Sequence, residues 1–180
     1  DISKTENLQP IMIAFQLAVL KLIRAHKPEL LKGLKSTCGL SLGEYSALAL
    51  SEIIDEDDAL RLVDIRGALM GKASENRNSK MLAILKMTED EVREVLQSHP
   101  EFEGKVYIAN INSSRQIIVS GEGDAIDELK EFLKSNKNLA KPLSVSGAFH
   151  TPFMESARSP FIETLEETSF SSPKISYYPN

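Results

Sequence analysis

The sequence holds a single cysteine, Cys38. It therefore cannot close an internal disulfide or assemble a thiolate metal site alone, which fits a reducing compartment. Long apolar runs are also missing. The richest, Ile11 to Leu20, is interrupted by Gln16 and followed by Lys21, short of the ~18 to 20 apolar residues a bilayer span needs. No secretory leader is visible, and the first residue is Asp1, not Met, which leaves room for an upstream segment. There is no low-complexity tract and no internal repeat. An excess of positive charge is absent too: 21 basic against 26 acidic residues give a net charge of -5. That excludes the broad basic surface on which non-specific nucleic-acid binding depends.

What remains is an ordinary globular composition, 42% hydrophobic and 26% charged over 180 residues, enough for one good core or one and a half modest ones. Residues 9–25 have apolar side chains on almost every face, the pattern of a buried helix. Residues 35–40 read as a short strand and 44–50 as a helix. Asp55 is a fitting N-cap for a further helix with acidic residues in its first turn. On that helix Arg66 borders the apolar row of Leu62, Ile65 and Leu69, and a guanidinium near a buried face needs a partner. From Lys80 the periodicity changes. Strands at 81–86, 106–112, 116–121 and 140–145 alternate with helices at 89–98 and 124–134, the order βαββαβ of a split βαβ unit. Thr151 and Pro152 start a last helix that Pro160 is expected to kink or interrupt.

Gly39-Leu40-Ser41-Leu42-Gly43 falls between the first strand and the next helix. A G-x-S-x-G turn in that context lifts the serine hydroxyl out of the chain, with small residues on both sides and helix N–H groups, Leu42's first, facing a developing oxyanion. The competing reading is three small residues in an ordinary turn; the strand-turn-helix context favours the nucleophile. Such a serine needs a base, and the chain has three histidines. His26 ends a helix and His99 precedes Pro100 in a polar loop. His150 immediately precedes the Thr151-Pro152 helix start, where the helix dipole favours the neutral, proton-accepting ring; a plain capping role is the competing reading.

Four segments, in order and at compatible spacing, resemble the malonyl-CoA:acyl-carrier-protein transacylases of type II fatty-acid synthesis. They are Gly39-Leu-Ser-Leu-Gly-Glu-Tyr-Ser-Ala-Leu48, Asp64-Ile-Arg-Gly-Ala-Leu-Met70, Ile108-Ala-Asn-Ile-Asn112 with Gln116-Ile-Ile-Val-Ser-Gly121, and Ser146-Gly-Ala-Phe-His-Thr151 with Phe153-Met-Glu-Ser-Ala157. Gln9-Pro10 matches an early helix start of that family. The resemblance implies an α/β chain: an α/β-hydrolase-like core (1–79 and 146–180) with an inserted ferredoxin-like subdomain (80–145), truncated at both ends. It implies that Ser41 takes the malonyl group as an ester and that His150 is base, then acid, oriented by a backbone carbonyl. Arg66 would pair with the free malonyl carboxylate through a two-pronged fork. The Leu42 N–H would be one oxyanion donor, Asn112 would help hold the site, and Gln9 would line it. Phe149, before the histidine, would crowd an α-methyl group, a discrimination of only ~1 to 3 kcal/mol.

The same resemblance implies malonyl-CoA and an acidic acyl carrier protein as partners, with neither nucleic acid nor membrane, a monomeric enzyme, and no cofactor beyond the coenzyme A thioester substrate. It fits a bacterial cytoplasm, or a plastid or other organelle in a eukaryote. Full members are about 300 residues long. Their Gly-Gln-Gly-x-Gln loop, which completes the oxyanion hole, and a later glutamine segment have no counterpart in this sequence, and Asn78-Ser-Lys80 stands where glycines are usual. Alternatives are the acyltransferase domain of a larger polyketide or fatty-acid synthase, a serine hydrolase, and a scaffold that kept the fold without the chemistry.

Overall fold

The N-terminal helix begins one turn earlier than its apolar pattern predicts. In the computed structural model, which describes residues 1–145 and 147–180, α1 spans Thr5–His26 and runs through Pro10. It is not the buried helix its composition predicts. Only Thr5, Gln9, Ile13 and Leu17 are buried, a single row at i, i+4 spacing. Ile11, Phe15 and Leu22 are exposed, Phe15 by 67%. A helix apolar all round is buried only where neighbours surround it, and here the cover lies on one side. By length and composition α1 also passes the measure for a membrane span that counting uninterrupted apolar runs excludes, a measure that core helices pass as well.

Among the described residues the chain divides into two compact units, Asp1–Leu69 with Ser159–Asn180, and Met70–Arg158. In the first, β1 (Ser36–Cys38) leads through a tight turn into α2 (Gly43–Leu50), and α3 starts at Glu56 and extends to Ser74. The Asp55 carboxylate accepts the Asp58 N–H at 2.7 Å, the cap the sequence predicts. β6 (Ser176–Tyr178) pairs parallel with β1, setting Tyr177 beside Thr37. The core joins Ile13 and Leu17 of α1, Tyr45 and Ala49 of α2, and Ala59, Leu62 and Val63 of α3.

The second unit follows the order read from the sequence: β2 (Ser79–Leu85), α4 (Glu89–Ser98), β3 (Val106–Ser113), β4 (Gln116–Glu122), α5 (Gly123–Ser135) and β5 (Leu139–Leu143). Its four strands lie in the order β3-β4-β2-β5, every neighbouring pair antiparallel. Thr88 and Glu91 close a capping box at the head of α4. Side chains alternate across the sheet. Leu82, Ile84, Ile117 and Val119 pack with Val92, Ile126, Leu129 and Leu133 of the helices, while Met81, Ala83 and Ile118 form a smaller cluster that Phe149 joins. The unit spans Met70–Arg158. It takes in the end of α3 and the segment leading to α6 (Glu155–Glu166). That helix runs on through Pro160 instead of stopping there. The proline sits in its second turn and removes one N–H donor, that which would have bonded Ser156.

Candidate active site

The turn between β1 and α2 has the geometry of a nucleophile elbow. Ser41 holds φ at +51°, a left-handed conformation that a non-glycine residue adopts at a cost. The chain folds back so tightly that a Cβ on Gly39 would lie 2.1 Å from the Gly43 carbonyl oxygen. Glycine at 39 is therefore a steric requirement. A Cβ on Gly43 would meet nothing within 4 Å, so the symmetrical role the sequence offers for both glycines holds for one. Leu42 is the N-cap of α2. Its N–H lies at the positive end of that helix, beside Ser41.

Three polar side chains converge on the elbow. The Arg66 guanidinium donates from Nη2 to Ser41 Oγ at 3.0 Å and from Nη1 to Gln9 Oε1 at 2.6 Å. The Tyr45 ring lies 5.8 Å from its centre, within cation–π range. Burial pushes the guanidinium below its ordinary pKa, opposed by the nearby Tyr45 and Glu44. It pushes the Tyr45 phenol up to about 12, against the pull of Arg66. Among the described residues no carboxylate forms an ion pair with Arg66. Ser41 and Gln9, which accept its hydrogen bonds, are both neutral, so neither brings a charge to offset the partial burial of the cation. Glu44 is engaged elsewhere. It accepts the Tyr177 hydroxyl and, at 3.2 Å, the Asn180 N–H, which ties the first turn of α2 to the end of β6.

The sequence-derived candidates thus fall into two groups. Ser41, Leu42, Arg66 and Gln9 lie in the first unit, and the structure joins Ser41, Arg66 and Gln9 through hydrogen bonds. Asn112, Phe149 and His150 lie in the second. Asn112 is exposed, in a break of register between Ile111 and Ser113 on β3. Phe149 is half-buried against Met81, Ala83 and Ile118. His150 is exposed, at φ +59°, one residue before Thr151. The Thr151 hydroxyl accepts the Phe153 N–H at 3.2 Å and donates to the Ala148 carbonyl at 2.6 Å. Ser146, which opens the histidine motif, lies outside the described residues. The other histidines have structural surroundings: His26 ends α1, and the His99 ring packs on Phe102 and Phe132 with Nδ1 2.8 Å from the Val95 carbonyl. Among the described residues no group of three or more His, Cys, Asp or Glu could hold a metal ion.

Sequence reasoning misses two members of the cluster. Tyr45 stands inside the serine motif without a role. Thr5, whose hydroxyl accepts from Gln9 Nε2 at 2.8 Å, lies ahead of the expected helix start; its signal is its spacing, four residues before Gln9.

Fold and site together define a mixed α/β protein, with two sheets among the described residues, that carries a serine elbow beside a half-buried cation. The acyl transferase domain model matches residues 1–179, and the chain belongs to that family. It is 33% identical over 175 residues to a malonyl CoA-acyl carrier protein transacylase of Staphylococcus aureus, covering 97% of this chain and 55% of the relative. It is 35% identical over 180 residues to the polyketide biosynthesis malonyl CoA-acyl carrier protein transacylase PksC of Bacillus subtilis, covering 97% and 59%. The crystal structure of an MCAT from Streptococcus pneumoniae superposes with a TM-score of 0.84 at 36% identity, covering 99% of this chain and 57% of that one. The chain spans little more than half the length of the curated relatives it matches.

Proposed function

We propose that this chain carries the acyl-accepting site of a malonyl-CoA:acyl-carrier-protein transacylase. Ser41 Oγ attacks the thioester carbonyl while His150 accepts its proton. The tetrahedral oxyanion forms beside the Leu42 N–H, and its collapse expels the coenzyme A thiol, which takes the proton back from His150. The resulting malonyl-serine ester is then attacked by the thiol of the carrier protein through the same steps in reverse order, with His150 again taking and returning one proton. The cycle consumes one thioester and makes another, and needs no cofactor. Asn112 and Phe149 border the site in this reading. The unit of residues 80–145 is read as a ferredoxin-like insertion, and residues 1–79 with 146–180 as part of an α/β-hydrolase-like core.

The observation that carries this reading is the half-buried Arg66 guanidinium, without a carboxylate partner among the described residues and bonded to the serine hydroxyl itself. A cation so close to the nucleophile suits an acyl group whose free carboxylate stands one carbon from the reacting carbonyl. A simple esterase has no use for it. The names of the Staphylococcus aureus and Bacillus subtilis relatives support the same substrate and the acyl carrier protein as acceptor. The test is intact mass spectrometry of the whole protein after malonyl-CoA. A malonyl adduct is expected that disappears in Ser41→Ala, and in His150→Ala forms at least about 100-fold more slowly. A protein that gains no adduct, or takes up acetyl as readily as malonyl, overturns the reading.

A further inference from the structure

The polar contacts around Arg66 do not end at Gln9. A guanidinium only donates, so the atom of Gln9 facing it must be Oε1. That choice turns Gln9 Nε2 away from Arg66, to Thr5 Oγ1 at 2.8 Å. Thr5 and Gln9 are four residues apart on α1 and share one face. They are 6% and 4% exposed, so water does not freely replace either contact. The neighbouring backbone leaves little slack. A Cβ on Gly67, next to Arg66, would come within 3.1 Å of Glu6 Cα and of the Thr5 carbonyl oxygen, so α3 presses directly on the first turn of α1.

We propose that Thr5 is a positioning residue for substrate carboxylate recognition: its hydroxyl holds Gln9 Nε2, and Gln9 Oε1 in turn holds Arg66. Without the Thr5 acceptor, Gln9 Nε2 loses a buried hydrogen bond, and the side chain that presents Oε1 to Arg66 is held less firmly. The guanidinium is then less well placed beside Ser41. Thr5 acts only through Gln9, which stands between it and Arg66. This inference rests on the carboxylate role proposed for Arg66.

The experiment measures loading of Ser41 by malonyl-CoA and by acetyl-CoA in the whole protein. Thr5→Val removes the hydroxyl at nearly constant volume. It is expected to raise the KM for malonyl-CoA about tenfold, as loss of a supporting contact behind a binding group does, with acetyl loading changed less than about twofold. Thr5→Ser restores malonyl loading. On an Arg66→Ala background Thr5→Val has no further effect. Gln9→Glu, which sets a carboxylate against the guanidinium, raises the malonyl KM as well and serves if Thr5→Val does not fold. Equal losses for malonyl and acetyl in Thr5→Val, no loss at all, or an undiminished effect on the Arg66→Ala background overturns the inference; if Thr5→Val does not fold, an unchanged malonyl KM in Gln9→Glu does so. Should Arg66→Ala itself fail to separate malonyl from acetyl, the failure belongs to the carboxylate role and not to Thr5.

Discussion

Arg66 donates a hydrogen bond directly to the hydroxyl of Ser41, 25 residues before it in the chain. In the mechanism proposed above, an acyl group esterified to Ser41 has its free carboxylate beside this guanidinium. Arg66→Ala is therefore expected to lower malonyl loading about 10- to 150-fold while leaving acetyl loading within about threefold, since a hydrogen bond to a charged group is worth about 1.5 to 3 kcal/mol. Arg66→Lys keeps the charge but loses the planar fork and should recover only part of the loss. Single-turnover mass measurements with the two thioesters check both. Equal losses for the two acyl groups would contradict the assignment.

Gly39→Ala should be the most damaging small substitution in the elbow. Its methyl group would enter the space of the Gly43 carbonyl oxygen, and backbone cannot yield as a side chain does. A loss of about 3 kcal/mol or more is expected, read as a lowered urea midpoint or as insoluble protein. Normal stability in this variant would mean that the turn is looser than described.

Tyr45 gives the site a pH signature in the alkaline range. Burial raises its folded-state pKa to about 12, above the ordinary tyrosine value near about 10. The unfolded chain thus releases this proton first. The stabilisation is complete below about pH 10 and drains away as pH rises toward about 12. Urea midpoints measured across that range should fall, and Tyr45→Phe should flatten part of the fall. The rest comes partly from Tyr177, whose phenol is also held above its ordinary value, by burial first and by Glu44 second. An unchanged slope in Tyr45→Phe would count against a buried phenol.

In the second unit, Leu129 of α5 is fully buried among Leu82, Ile117 and Val119. Leu129→Ala is expected to cost about 2 to 5 kcal/mol through lost burial and the cavity left behind, seen as a lowered thermal midpoint. A cost under about 1 kcal/mol would show that the sheet collapses onto the gap.

Much of this is legible in the sequence, for local reasons. The apolar run that opens at Met81, the helical stretch over 89–98 and the tight connection after Ser113 announce their elements through short-range chemistry, and the βαββαβ order follows. The elbow is legible because its five residues are consecutive. The contact from Gln9 to Arg66 is not, because it joins residues 57 positions apart and leaves no periodic trace. Pro10 reads as a helix start, yet α1 already begins at Thr5. Pro160 reads as a kink or an interruption, and α6 is not interrupted there. The burial of α1 is overread for a different reason: apolar composition says which faces can be covered, not which ones are.

Thr5, Gln9, Ile13 and Leu17 form one row along α1. The lower half of that row anchors the helix in the core, and the upper half steadies the arginine. Rolling the helix to suit a bulkier or differently charged acyl group would drag Ile13 and Leu17 out of their packing. On the carboxylate role proposed for Arg66, a different acyl group is met more readily by replacing that residue than by moving α1, whose core packing the same row carries.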